Sequence, residues 1–268
     1  EYAYARLLQE MCGEEPYGIS RLGDEESAEK LQMKKLHALY GELLSTARLE
    51  LFYCGSAPLE RVRQALAAAF ATLPRDGIRD IAVAEPHPAR AEVKRVEEAM
   101  DVTQGKLGMG FACGSDDRAA VLMGNTLFGG NSNSKLFLNV REKLSLCYYA
   151  SSSVYGAKGI VTVSSGIDTG NYEKARDEIL RQLEACRAGE ITQAELRAAQ
   201  EAICSSLRTI ADAAGRMEDF ALFRLLSRFP LDRAGYRDAV LAVTADQVAK
   251  IAAQVELDTI FFLKGASV

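Results

Sequence analysis

The sequence predicts an α+β fold, in which helices pack on one face of a mostly antiparallel sheet. Three observations predict it. Apolar strands follow one another between residues 92 and 167, a tight Gly-Ala-Lys-Gly turn at 156–159 joins two of them as a hairpin, and amphipathic helices dominate after residue 170. The length of 268 residues suggests roughly two domains, at about 150 residues per domain.

Residues 1–82 are typical of the C-terminal part of a first α/β domain. The helical spacing of apolar side chains predicts helices over 2–12, 25–45 and 58–73. Between the last two, the apolar segment 47–54 predicts a strand. Because one strand cannot form a sheet by itself, the other strands of this domain are expected to be missing.

The unpaired strand at 47–54 is a candidate for pairing with another molecule, because an apolar strand edge tends to recruit a further chain. A homo- or hetero-dimer is therefore expected. The chain opens on Glu1 and enters a helical pattern at once, so we also expect the N-terminal part of a longer protein to be missing.

A linker is predicted at 83–91, where Pro86 and Pro88 interrupt regular structure. A second domain is predicted over 92–268. Its predicted strands lie at 92–99, 106–113, 147–155, 159–167 and 257–263. Its predicted helices lie at 116–128, 135–143 and 170–187, and capping boxes at 192–195 and 244–247 open two more, the first of which runs to about residue 229.

The charge of the chain argues against nucleic-acid and membrane partners. The 32 Lys and Arg residues are outnumbered by 37 Asp and Glu residues, and the net charge is -5 with no long run of one sign. The sequence contains no apolar stretch of roughly 18 residues and no signal segment. Six scattered cysteines in apolar surroundings indicate free thiols, and therefore a cytoplasmic protein.

Only two histidines, His37 and His87, are available for metal or acid–base chemistry. A zinc site needs several ligands brought together. His37 lies inside a predicted helix without a second His or Cys one turn away, and His87 lies between prolines in the linker. We therefore expect a helix-surface or half-buried His37, a solvated His87, and neither a catalytic residue nor a metal ligand in this chain.

The loop 129–134 could offer backbone N–H groups to an anion, but helix capping by Asn133 or Ser134 is the favoured interpretation. An S-x-x-K pattern at 132–135 lacks the accompanying motifs of serine β-lactamases. In the next segment, Arg141 lies near the end of a short predicted helix and Tyr148 at the start of a strand. Taken alone, both are typical of structural residues.

The segment 127–148, with the pattern LFGGxxxSKLFxxVREKxxLxY, resembles the pitrilysin/insulinase-type zinc peptidases, or inverzincins, which include the mitochondrial processing peptidases. Upstream, the Pro-Tyr-Gly at 16–18 and the Cys-Gly at 54–55 also fit the family's order, so the likeness covers nearly the whole chain. The spacing within 12–23 is most like a non-catalytic bacterial branch, the YfmF-like proteins, which is associated with modification of elongation factor P.

The resemblance implies the insulinase/mitochondrial-processing-peptidase type of domain. In that family an H-x-x-E-H motif and a distant Glu bind zinc, and an Arg and a Tyr of the second domain hold the substrate. Those two correspond to Arg141 and Tyr148, the predicted substrate-binding residues. Their guanidinium and phenol are donors suited to a peptide carbonyl or a developing oxyanion.

This sequence departs from the family because it contains no H-x-x-E-H motif. Gly41 and Ala91 stand where a second His would follow His37 and His87. The resemblance implies that zinc belongs to the full-length homologue or to a partner, and that no cofactor is bound by this chain, which is itself expected to be inactive. On the family's order, the missing motif would lie before Glu1.

Three hypotheses follow from the resemblance. The chain is the non-catalytic, substrate-holding portion of a protein that acts with a catalytic H-x-x-E-H subunit on a peptide or protein substrate. Alternatively, it is a fragment of an active zinc metalloendopeptidase, or a structural scaffold that does not bind peptides. An intact upstream motif would favour the second hypothesis, and indifference to changes at Arg141 and Tyr148 would favour the third.

Overall fold

A computed structural model describes residues 1–81 and 85–265. The strands are β1 (Lys94–Met100), β2 (Gly105–Cys113), β3 (Cys147–Tyr155), β4 (Ile160–Ile167) and β5 (Val255–Gly265). The helices are α1 (Tyr2–Met11), α2 (Glu25–Glu29), α3 (Met33–Thr46), α4 (Leu59–Phe70), α5 (Arg118–Asn125), α6 (Tyr172–Arg187), α7 (Gln193–Thr209), α8 (Ala214–Leu226), α9 (Arg233–Ala242) and α10 (Ala245–Ala252). Two π-helical segments, Thr126–Gly130 and Leu136–Lys143, follow α5.

The strands form one 5-stranded sheet in the order β1-β5-β2-β4-β3. Strands β1 and β5 pair in parallel, and the other neighbours are antiparallel. The predicted α+β fold with a mostly antiparallel sheet is therefore confirmed. No helix within 1–81 and 85–265 combines the length and apolarity needed to cross a bilayer.

Strand β2 lies at the centre of the sheet and joins two cores. Its odd-numbered side chains, Leu107, Met109 and Phe111, are buried against the layer formed by α5, α6, α7, α9 and α10. On the opposite face a Cβ at Gly108 or Gly110 would lie 3.2 Å from Leu7 or 2.6 Å from Met11. The alternation of glycine with bulky residues thus lets α1 pack on this second face of the sheet. The layer of α5, α6, α7, α9 and α10 covers the first face.

The amphipathic helices α2, α3 and α4 contain no buried residue. The predicted helix at 25–45 is divided between α2 and α3. The prediction of a strand at 47–54 is wrong for the described residues, since only an isolated bridge joins Ala47 to Arg79. An apolar alternating segment becomes a strand only when a neighbour offers it hydrogen bonds.

Residues 83 and 84 of the predicted linker lie outside the described residues, while 85–91 form no helix or strand. The domain boundaries and the intermolecular pairing of 47–54 stay predictions. The predicted helix from Thr192 to residue 229 is interrupted between α7 and α8. Both predicted capping boxes are confirmed, at Thr192 with Glu195 and at Thr244 with Gln247.

Replacing Thr192 with alanine is expected to lower the free energy of unfolding by about 1 kcal/mol, because it removes the side-chain acceptor for the N–H of Glu195. Urea unfolding followed by far-UV circular dichroism measures the change. The matched control is Ser205→Ala, at an exposed position of the same helix, with an effect within about 0.5 kcal/mol. Equal losses in the two variants would contradict a capping role for Thr192.

Candidate functional site

A surface cavity of about 310 Å³ lies between the two π-helical segments and the start of β3. The pair Gly129-Gly130 makes the approach of these elements possible. A Cβ at Gly129 would lie 2.7 Å from the backbone N of Ser152 and 2.8 Å from Leu136, so a larger residue would force them apart. The predicted cap at Asn133 or Ser134 is not found at the start of the second π-helical segment, whose N-cap is Lys135 without a side-chain hydrogen bond, although Ser134 Oγ accepts from the N–H of Phe137 at 3.4 Å.

Arg141 lines this cavity and is held by contacts along its side chain. Its Nε donates to the carbonyl of Tyr148 at 2.9 Å, and its guanidinium carbon lies 4.7 Å from the centre of the Phe137 ring. A second nitrogen lies 3.2 Å from a carboxylate oxygen of Glu142. The side chain is still 40% exposed, so the guanidinium is oriented and open to solvent at the same time.

Tyr148 lies beside Arg141 on the wall of the same cavity and is 58% exposed. Its hydroxyl donates to Asp168 at 3.0 Å. This hydrogen bond raises the pKa of Tyr148 above its ordinary value, so the phenol keeps its proton at neutral pH. The fold thus brings together the two predicted substrate-binding residues, and at one surface Arg141 presents N–H donors and Tyr148 presents its phenol oxygen.

Strand β3 ends the sheet on this side. Among the described residues, its only partner is β4, so the outer edge of β3 has no neighbouring strand. An open edge offers backbone donors and acceptors to an extended peptide. The Arg141–Tyr148 cavity lies at the start of this edge, where such a peptide would meet both side chains.

The two histidines differ in their exposure to solvent. His37 is exposed on α3, in agreement with its prediction as a helix-surface residue. The prediction of a solvated His87 is wrong: its side chain is only 5% exposed and lies between Glu15 and Asp258. The two histidines are far apart in the sequence and do not form an H-x-x-E-H motif. The residues present therefore do not fit the zinc site expected of the family.

A second polar cluster surrounds His87, and sequence reasoning missed it. Cys12, Glu15 and His87 lie within reach of one another and could hold a metal ion. Burial raises the pKa of the Cys12 thiol to about 11, so the metal-free thiol is not a nucleophile at neutral pH. The local signal was the Cys-x-x-Glu spacing at 12–15, but its connection to His87 is made only by the fold.

Comparison with known proteins gives relatives with the same architecture. A curated relative, "Probable inactive metalloprotease YmfF" of Bacillus subtilis (strain 168), is 30% identical over 270 residues, which cover 98% of this chain and 62% of the relative. The solved structure of a conserved protein from Enterococcus faecalis V583 matches with a TM-score of 0.87 and 28% identity, over 100% of this chain and 64% of that chain. A peptidase M16 inactive domain from Pseudomonas fluorescens matches with a TM-score of 0.75 and 20% identity, over 100% of this chain and 66% of that one.

The fold and these relatives define a metalloprotease-like domain. The chain belongs to the peptidase M16 family, whose "Peptidase M16 inactive domain" matches residues 30–203. The family predicted from 127–148 is therefore confirmed. The chain spans less than two thirds of the curated relative and of the Enterococcus faecalis protein that it matches.

Proposed function

We propose that this chain is the peptide-holding, non-catalytic portion of an M16-family protein that acts with a catalytic subunit bearing H-x-x-E-H. The observation that carries the proposal is the pairing of Arg141 and Tyr148 in one open cavity at the start of the free edge of β3. Both side chains are partly exposed, and Arg141 presents N–H donors to solvent.

The chemistry of this surface suits an extended peptide. The backbone of β3 can pair with a peptide backbone, which gives affinity with little dependence on sequence. The Arg141 guanidinium can donate to peptide carbonyls or to a carboxylate, and the Tyr148 phenol oxygen, whose proton is donated to Asp168, can accept from a peptide N–H. No H-x-x-E-H motif occurs in this sequence, and the proposal therefore assigns hydrolysis to the catalytic subunit that bears it.

Peptide binding to the full chain tests the proposal, with a fluorescein-labelled unstructured casein peptide as the probe in fluorescence anisotropy. Arg141→Ala is expected to weaken binding by about tenfold or more, because a hydrogen bond to a charged group contributes roughly 1.5–3 kcal/mol. Tyr148→Phe is expected to have a smaller effect in the same direction. The matched control is Arg237→Ala, an exposed arginine on α9, which should bind as the parent does.

Equal binding by the parent, the Arg141 variant and the Tyr148 variant would contradict the peptide-holding role and favour a scaffold. The partnership is tested separately by adding a purified M16 subunit with an intact H-x-x-E-H motif and measuring zinc-dependent cleavage of the same peptide. Cleavage that rises when the parent chain is added, and rises less with Arg141→Ala, supports the proposal. Zinc-dependent cleavage by the full-length protein alone would instead favour an active peptidase.

A further inference from the structure

The cluster formed by Cys12, Glu15 and His87 lies where the end of α1, the turn after it and the segment before β1 meet the sheet. Cys12 Sγ lies 4.0 Å from His87 Nδ1, and Glu15 Oε1 lies 2.5 Å from the same nitrogen. The potential ligand atoms of the three side chains all lie within 4.8 Å of one another. Cys12 and His87 are buried, and Glu15 is 26% exposed.

Partners behind the cluster fix the orientation of His87. The other ring nitrogen, Nε2, lies 3.3 Å from Asp258 Oδ2, and the Asp258 side chain is 0% exposed. The Asp258 carboxylate also accepts from the backbone N–H of Arg90 at 3.0 Å and from the Thr259 hydroxyl at 2.7 Å. A histidine that ligates a metal commonly donates its second N–H to such a carboxylate, and His87 Nδ1 would then become a ligand by giving up its contact with Glu15 to the metal.

Glu15 is held from behind in a similar way. One carboxylate oxygen, Oε2, binds the ammonium of Lys158, and the other, Oε1, faces His87. The Lys158 ammonium also donates to the carbonyl of Glu85 at 2.7 Å. Glu15 can therefore offer Oε1 to a cation while Oε2 keeps its partner.

We propose that Cys12, Glu15 and His87 form a binding site for Zn²⁺, separate from the family's H-x-x-E-H site. A thiolate, an imidazole nitrogen and a carboxylate oxygen are donors that zinc prefers, and a water molecule would complete four-coordination. Bond lengths of about 2.0–2.3 Å place tetrahedral ligand atoms roughly 3.3–3.8 Å apart, between the shortest and longest separations in the cluster. Small adjustments of the three side chains would bring their ligand atoms to these separations.

The presence of Cys12 distinguishes this cluster from a purely ionic network. Lys158 and Arg90 already balance the charges of Glu15 and Asp258, and that balance needs no sulfur atom. The Cys12 sulfur nonetheless lies against His87 Nδ1. On zinc binding the Cys12 thiol proton and the proton held between His87 Nδ1 and Glu15 are released to solvent, and the sulfur and Nδ1 become ligands. Because the ligands come from separate segments, the bound ion would fasten the α1 end and the segment before β1 to each other.

Metal titration of the full chain, purified free of metal, tests the site with Co²⁺ as a spectroscopic probe. We expect one equivalent of Co²⁺ to give a near-ultraviolet sulfur-to-cobalt charge-transfer band, which one equivalent of Zn²⁺ abolishes. Cys12→Ala is expected to lose the band. The matched control is Cys186→Ala, which replaces an equally buried cysteine of the main core and should keep it. No band in the parent, or a band that survives Cys12→Ala, would overturn the proposal.

Two further variants keep the test decisive if Cys12→Ala fails to fold. Asp258→Asn, which keeps the size of the side chain but removes the negative charge behind His87, is expected to weaken zinc affinity by about 10–100-fold in competition titrations. Glu15→Gln retains the size of a partly exposed side chain and is expected to weaken binding while leaving the charge-transfer band. Unchanged affinity in both variants, judged on samples with parental circular dichroism, would show that the cluster is only a structural network.

Discussion

Asp258→Ala is expected to lower the free energy of unfolding by about 3 kcal/mol, at the low end of the range for breaking a buried ion pair. The carboxylate is fully buried on β5 and faces both His87 and Arg90. Its removal leaves buried donors without an acceptor, which costs more than the lost attraction itself. The side chain of Arg90 remains 35% exposed and can be rehydrated, which keeps the loss from being larger.

Urea unfolding in metal-free buffer measures this loss, followed by far-UV circular dichroism. The matched control is Asp212→Ala, which removes an exposed aspartate and should change the free energy of unfolding by less than about 0.5 kcal/mol. A loss below about 1 kcal/mol for Asp258→Ala would mean that water replaces the carboxylate. The contacts around His87 would then contribute little to the stability of the fold.

The strands and helices after residue 92 could largely be predicted from the sequence because their signals are local. Strand β3 occupies the predicted residues 147–155, since Gly156 and its neighbours end the strand in a tight turn. The Thr192 and Thr244 capping boxes depend on side chains three residues away, which the sequence displays directly. At the other four strands, the predicted and the observed residue bounds differ only at the strand ends.

The polar cluster could not be predicted, because its members are distant in the chain. His87 lies between Pro86 and Pro88, a context typical of an exposed turn, yet its burial depends on Asp258, a residue 171 positions away. A periodicity argument sees only neighbours within a few residues. Cys12 and Glu15 show the same limitation, since nothing near them in the sequence identifies His87 as their neighbour.

The candidate peptide site was predictable only in part, unlike the locally encoded strands and caps and unlike the polar cluster. The pairing of Arg141 with Tyr148 was predicted from the family resemblance, and the structure brings the two side chains to one cavity. The residue patterns alone favoured structural roles, because a π-helical segment and an ordinary short helix have similar sequences. The π-helical geometry of Leu136–Lys143 shows only in the backbone, and such segments are frequent at functional sites.

Phe111→Ala is expected to lower the free energy of unfolding by about 3–5 kcal/mol, because it leaves a cavity in the main core. Phe111 is 0% exposed at the centre of the sheet. Phe52→Ala is the matched control: the same atoms are removed from the predicted strand at 47–54, where Phe52 is 45% exposed, and a loss below about 0.5 kcal/mol is expected. Denaturant unfolding of both variants at low protein concentration measures the difference. A concentration-dependent loss for Phe52→Ala would instead show that this segment is buried against a second chain, since association makes apparent stability depend on protein concentration.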